Sequence, residues 1–215
     1  MRARRSAEAP RVVLASHNAK KRAELQRILA VHAPQVEVLD LDDVAAYDEP
    51  VEDEPDFAGN ALLKARAGLA ATGLPTLADD SGLCVDALNG MPGVLSARWA
   101  GVAKDDDRNN ALLLEQLADV PDERRGAHFT CAVAWVQPAG RERVVEGRMA
   151  GRIIRELRGS GGFGYDVLFV AQEHDAEGLT SAELEPGEKD RISHRGRALR
   201  ELAPYVAADL AGSAD

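Results

Sequence analysis

The segment Leu77-Ala78-Asp79-Asp80-Ser81-Gly82-Leu83-Cys84-Val85 constrains the fold more than any other stretch of this chain. It sets two adjacent carboxylates between apolar runs. Neighbouring carboxylates repel one another and resist leaving water, so the pair has to sit where a cation can reach it. The simplest reading is an apolar strand, Pro75 to Ala78, that ends at the acids, turns at Ser81-Gly82 and leaves on a second strand. Asp, Ser and Gly all form turns, so an ordinary surface turn has the same composition. A divalent metal is the other common way to hold two acids together. Mg²⁺ favours carboxylate oxygens combined with phosphate oxygens, which directs attention to phosphate chemistry.

Around this segment, strand and helix patterns alternate. Val12 to Ala15 reads as a buried strand, followed by a helix from Ala19 to Ala30 that carries Leu25, Ile28 and Leu29 on one face, with Asn18 as its N-cap. Val36 to Leu41 is a second strand. Asp43 to Asp56 is acidic, holds Pro50 and Pro55, and reads as a solvated loop. Phe57 to Thr72 is rich in Ala and Leu and stops at Gly73, the signature of a helix with a glycine C-terminus. Asp107 to Leu117 is another helix. Ala127 to Val136 alternates Phe129, Cys131, Val133 and Trp135 as a strand, and Arg143 to Met149 pairs with it across Pro138-Ala139-Gly140. Gly159 to Gly164 is a glycine loop, Val167 to Val170 a strand, and Arg195 to Leu210 a helix. Early alternation with later strand pairing predicts an α/β fold built on a mixed sheet.

The balance of charge restricts function. The chain carries a net charge of −10, which argues against a general nucleic-acid binder and makes each local cation informative. No apolar run is long enough for a membrane span. Residues 1–10 contain Arg2, Arg4 and Arg5 without an apolar core and read as a disordered extension, residues 211–215 as a tail, and residues 11–210 as one domain. Cys84 and Cys131 fall in buried strands without a partner motif, so they read as reduced core residues rather than a disulfide or a zinc site.

Four cationic or donor-rich segments are candidates to face a phosphate. The strand-to-helix turn Ser16-His17-Asn18-Ala19-Lys20-Lys21 offers backbone N–H groups, a positive helix end and Lys21 one turn in; plain capping with solvated lysines is the alternative. Asn60 and Lys64, four apart, share a helix face, and a snorkelling edge lysine is the alternative there. In Gly161-Gly162-Phe163-Gly164-Tyr165-Asp166 the backbone can approach a ligand and Phe163 or Tyr165 can stack on a base, although a flexible hairpin loop has the same composition. In Lys189 to Arg195, His194 can donate to a carbonyl and Arg195 can fork onto a phosphate, while a charged helix start capped by Ser193 is the plainer reading.

The order of these segments is more specific than any one of them. The phosphate turn, then Phe57-Ala58-Gly59-Asn60-Ala61-Leu62-Leu63-Lys64-Ala65, the Ala78-to-Leu83 pair, the glycine loop and Ser193-His194-Arg195 closely resemble the inosine/xanthosine triphosphate pyrophosphatase family, over roughly Arg11 to Leu210. The resemblance implies an elongated α/β fold with a mixed central sheet and a nucleotide cleft between two lobes, a cytoplasmic homodimer, and Mg²⁺-dependent hydrolysis of ITP, dITP and XTP to monophosphate and pyrophosphate. It places Ser16, His17, Asn18, Ala19, Lys20 and Lys21 on the triphosphate turn, with Lys64 nearby. It makes Asp80 the proton acceptor and metal group, with Asp79 in support, and Ser81 a substrate contact. Phe163, Gly164, Tyr165, Asp166, Lys189, His194 and Arg195 fall on the base and sugar pocket.

The family often has a glutamate where this chain has Gly59, on the face expected to look at the site. Glu52 aligns best with an acidic position and is the candidate second metal group. A non-catalytic nucleotide-binding module is the alternative function. A haloacid-dehalogenase-type phosphatase is set aside because its Asp-x-Asp motif is missing.

Overall fold

Three long strands carry the architecture in this computed structural model, which describes residues 9–101, 105–138 and 140–212. They are β3 (Thr76–Val85), β4 (Gly126–Val136) and β5 (Glu142–Ile153), paired antiparallel along their length. Short strands complete a six-stranded mixed sheet. β1 (Arg11–Leu14) lies parallel to both β3 and β2 (Glu37–Leu39), and β6 (Phe169–Ala171) closes the far edge, giving the order β2-β1-β3-β4-β5-β6. The helices are α1 (Ala19–Leu29), α2 (Phe57–Thr72), α3 (Asp106–Gln116), α4 (Pro186–Ile192) and α5 (His194–Gly212). The α/β fold with a mixed sheet is as the sequence predicted.

Side-chain alternation along the sheet divides the packing between its faces. Leu77, Cys131, Val133 and Trp135 point towards α1 and α5, with Leu25, Leu29, Leu199 and Leu202. Ala78, Ala132 and Ala134 point the other way, against Phe57, Ala61 and Ala65 of α2. Further along the same strands a third core gathers Leu83, Val85, Phe129, Met149 and Ile153 with Leu113 of α3 and Phe169. The acidic pair therefore lies mid-strand, where the first two cores give way to the third.

That placement corrects the expected turn at Ser81-Gly82. Every residue from Thr76 to Val85 is in register with β4, including Asp79 opposite Val133, Asp80 opposite Ala132 and Gly82 opposite Thr130. The ladder satisfies the backbone, and cations on the two faces hold the acids, so no solvated turn is required. Further boundaries differ, and β5 runs beyond the expected Arg143 to Met149 as far as Ile153. The second strand covers only Glu37–Leu39, and the strand expected at Val167 to Val170 begins later, because Gly164–Val167 forms a short 3₁₀ turn first. At the hairpin expected at Pro138-Ala139-Gly140, Ala139 lies outside the described residues, as do residues 1–8 of the expected extension and 213–215 of the tail.

Local signals explain how the site-bearing helices are set. Asn18 caps α1 by accepting from the Lys20 and Lys21 N–H groups at 3.0 and 3.3 Å. Asp56 caps α2 through the Gly59 N–H at 2.7 Å, and Gly73 ends it in the left-handed region at φ 70°. One buried residue was silent in the sequence. Arg125 donates to the carbonyls of Leu117, Ile153 and Ile154, tying the end of α3 to the end of β5. Among the described residues no helix is long and apolar enough to cross a membrane.

Candidate active site

Adjacent strand residues face opposite sides of a sheet, so Asp79 and Asp80 enter different surroundings. Asp79 turns towards α1 and α5. Lys21 Nζ lies 2.9 Å from both of its oxygens, and Arg195, in the first turn of α5, places Nε 3.1 Å and Nη2 3.0 Å from Oδ2. The Ser81 hydroxyl donates to the same oxygen at 3.4 Å. Burial opposes charge on Asp79, but Lys21 and Arg195 outweigh it and hold the carboxyl far below the usual carboxylate range.

Asp80 turns towards α2. Its Oδ2 accepts from Asn60 Nδ2 at 3.0 Å, its Oδ1 accepts from the Ser81 N–H at 3.0 Å, and Lys64 Nζ stands 3.8 Å from Oδ1. Lys64 is also 3.0 Å from Glu52 Oε1, so one ammonium links both expected metal groups. Burial pushes the Asp80 carboxyl above its usual range; Lys64 and Asn60 pull against that and Glu52 adds to it. The Glu52 carbonyl also accepts from Arg98 Nη2 at 3.2 Å.

The gap expected beside Gly59 is filled. A Cβ there would lie 2.8 Å from Glu54 Cβ and 3.1 Å from Glu54 Oε2, so the acidic loop lays its own carboxylate over the position where the chain lacks one.

The phosphate turn divides. Lys21 joins Asp79, and Ser16 Oγ accepts from the Asn18 N–H at 3.2 Å. Ala19 and Lys20 are exposed at the helix start. His17 is drawn to the acidic loop, with Nδ1 2.8 Å from Asp42 and Nε2 3.4 Å from Glu49, and the bond to Asp42 raises its pKa.

The glycine loop sorts its two aromatic rings. Phe163 is 69% exposed, with Lys189 Nζ 5.3 Å from its ring centroid. Tyr165 is buried and donates to the Ser96 carbonyl at 2.9 Å, which leaves Phe163 as the ring free to stack. Asp166 accepts from the Phe163 N–H at 2.8 Å and pairs with Lys189, while Gly164 N–H donates to Asp106 at 2.7 Å. His194 is stacked on Phe129, with centroids 5.0 Å apart and planes 13° from parallel. Burial, reinforced by Arg195 and Lys189, pushes its pKa down to about 3, so it is neutral at pH 7, and its Nδ1 is buried with no hydrogen-bond partner among the described residues. α5 approaches this closely because of Gly147: a Cβ there would lie 2.1 Å from the His194 carbonyl oxygen and 2.6 Å from the Ala198 nitrogen.

Sequence reasoning missed the partnerships of Asn60, Glu54, Ser96 and Phe129. Only Asn60 left a signal, through its spacing from Lys64.

Three cations, Lys21, Lys64 and Arg195, are thus matched by Asp79, Asp80 and Glu52. The fold and these clusters define an α/β protein with a strand-borne acidic pair and a nearby aromatic-and-glycine loop. Comparison with known proteins narrows that class. The model of the Ham1 family matches residues 12–205, and the chain belongs to that family. It is 60% identical to the dITP/XTP pyrophosphatase of Nocardia farcinica, over 92% of this chain and 95% of that one. It is 57% identical to the dITP/XTP pyrophosphatase of Corynebacterium efficiens, over 94% and 99%. Among solved structures, the nucleoside-triphosphatase (dITP/XTP pyrophosphatase) of Mycobacterium abscessus superposes with a TM-score of 0.75 at 55% identity, over 90% of this chain and 99% of that one. A HAM1 protein from Coxiella burnetii gives 0.84 at 38% identity, over 93% and 99%.

Proposed function

We propose that the protein is a nucleoside-triphosphate pyrophosphatase that hydrolyses dITP, ITP and XTP to the monophosphate and pyrophosphate, clearing non-standard purines from the nucleotide pool. The observation that carries the reading is the pairing of Asp80, a buried carboxylate with a raised pKa, with Lys64 and Glu52 in a member of the Ham1 family.

The residues fit a divalent ion. Asp80 and Glu52 offer hard oxygens around one ammonium, and Mg²⁺ is commonly held by one or two carboxylates with substrate phosphates supplying the rest. The charges of the site also favour one, since Lys21, Lys64 and Arg195 are already offset by three carboxylates and leave little positive charge for a triphosphate. When bound, Mg²⁺ supplies charge neutralisation on the phosphates and a more acidic water.

Asp80 orients a water and accepts its proton as the oxygen attacks the α-phosphorus; the bond to the bridging oxygen breaks and pyrophosphate leaves. Ser16, Asn18, Lys20 and Lys21 at the α1 N-terminus, together with Lys64, offset charge on the phosphates. Asp79 holds Lys21 and Arg195 in place. Phe163 stacks on the base, while neutral His194 and Arg195 read the purine 6-oxo group. Adenine presents a donor there and leaves theirs unpaired, at about 1–3 kcal/mol for each lost bond. Residues 11–210 act as one domain, and the resemblance carries the homodimer and the cytoplasmic location.

The test is turnover of dITP, ITP, XTP, GTP and ATP with and without Mg²⁺, followed with malachite green. The expected result is hydrolysis of the first three that requires Mg²⁺, with orthophosphate detected only after inorganic pyrophosphatase is added. Direct release of orthophosphate refutes the assignment, and binding without turnover supports a non-catalytic module instead.

A further inference from the structure

Asn60 is fully buried on the first turns of α2, and both ends of its amide are engaged. Its Oδ1 accepts from the Glu54 N–H at 3.1 Å, and its Nδ2 donates to Asp80 Oδ2 at 3.0 Å. A backbone N–H can only donate, so the Glu54 contact fixes which end of the amide is oxygen and compels the NH₂ end to face the carboxylate. Asp80 Oδ1 is held separately by the Ser81 N–H. Each Asp80 oxygen thus spends one lone pair on a fixed donor, and the plane of the carboxylate is set from both sides. The acidic loop that supplies the Glu54 N–H also supplies Glu52, which meets Lys64 beside Asp80. Moving the loop would therefore disturb Asp80 through Asn60.

We propose that Asn60 is a positioning residue for Asp80, an amide clamped by the acidic loop at one end that aims the remaining carboxylate lone pairs at the point where Glu52 and Lys64 converge. The inference rests on Asp80 being the proton acceptor and cation group proposed above. Asn60 itself touches no reacting atom; it acts on the orientation of one that does. A hydrogen bond to a charged group that is lost on truncation corresponds to a fall in kcat of roughly ten- to a hundred-fold.

The experiment compares Asn60→Ala, Asp80→Asn and the double variant in the full-length protein, with two readouts. The first is steady-state hydrolysis of dITP: Asn60→Ala is expected to lower kcat by that factor with KM within about two-fold. The second is Mn²⁺ binding followed by electron paramagnetic resonance, which needs no turnover: Asn60→Ala is expected to weaken Mn²⁺ several-fold in the wild-type background and to have no effect when Asp80 is already Asn. Equal weakening in both backgrounds, unchanged Mn²⁺ affinity, no Mn²⁺ binding by the wild type, or an unchanged kcat each overturns the proposal. If Asn60→Ala does not fold, the near-isosteric Asn60→Asp keeps the acceptor for the Glu54 N–H, removes the donor and sets a second carboxylate against Asp80. Wild-type kcat in that variant overturns the proposal equally. A wild-type protein that hydrolyses no purine triphosphate refutes the assigned function, while the Mn²⁺ cycle still decides whether Asn60 orients Asp80.

Discussion

Asp79 and Asp80 are neighbours on one strand, chemically identical in water and similarly buried, at 5% and 9% exposure. The sheet sends them to opposite faces. On the α1–α5 face, two cations close on Asp79 and stabilise its charge. On the α2 face, Asp80 receives a neutral amide, a more distant ammonium and a nearby glutamate, and its charge is held less tightly. Burial alone raises a carboxyl pKa; the number and distance of the cations decide whether it stays raised. The comparison separates a carboxylate held charged by two cations from one whose charge burial opposes.

Four perturbations test this division, three substitutions in descending size and then a change of pH. Asp80→Asn keeps the shape and removes the base, so pyrophosphate release from dITP should fall by about 10²–10⁴-fold with an unchanged thermal melt; near-normal turnover would remove Asp80 from the chemistry. Asp79→Asn should act on stability as well as on turnover. It strands Lys21 and Arg195 in a buried setting and should cost about 3–5 kcal/mol of stability, read by urea denaturation. A stable Asp79→Asn protein would show that the two cations do not depend on this partner.

Gly147→Ala disturbs only the α5 side. A methyl group at the His194 carbonyl has to displace the start of the helix, at about 1–3 kcal/mol. KM for dITP should rise through displaced His194 and Arg195, and an unchanged melt would mean that α5 has slack at this point.

The last test is pH dependence, read over the narrow span from pH 7 to pH 5. His194 has a folded pKa of about 3 against 6.5 when unfolded, so between those values the unfolded chain binds a proton that the folded chain does not. Stability from this group is complete above pH 6.5 and falls with decreasing pH by at most about 1.4 kcal/mol per unit down to about 3. Asp79 adds a loss only below its unfolded value of 3.8. Urea midpoints at pH 7 and pH 5 should differ less in His194→Gln than in the wild type.

Where information was local, the sequence was readable. Asn18 as a cap, Gly73 as a stop and Lys64 one turn after Asn60 depend on residues within four positions of each other. The expected turn at Ser81-Gly82 has a real local propensity, which ten ladder pairings with β4 override. The role of Asp79 was only outlined, since its partners lie 58 and 116 residues away. Phe163 and Tyr165 share one glycine loop, and only the position of the Ser96 carbonyl, 69 residues from Tyr165, separates them.

The unbroken course of β3 also bears on what the chain can tolerate over evolutionary time. Because strand side chains alternate, shifting β3 by a single residue would exchange the surroundings of the two acids. A one-residue insertion between Leu77 and Asp79 would deliver the first acid to α2 and the second to Lys21 and Arg195, with every residue type retained. The spacing from the β1–β3 pairing at Leu77 to Asp80 is therefore as much a requirement of the site as the acids themselves, and an insertion should be tolerated in the loops on either side of this strand rather than within it.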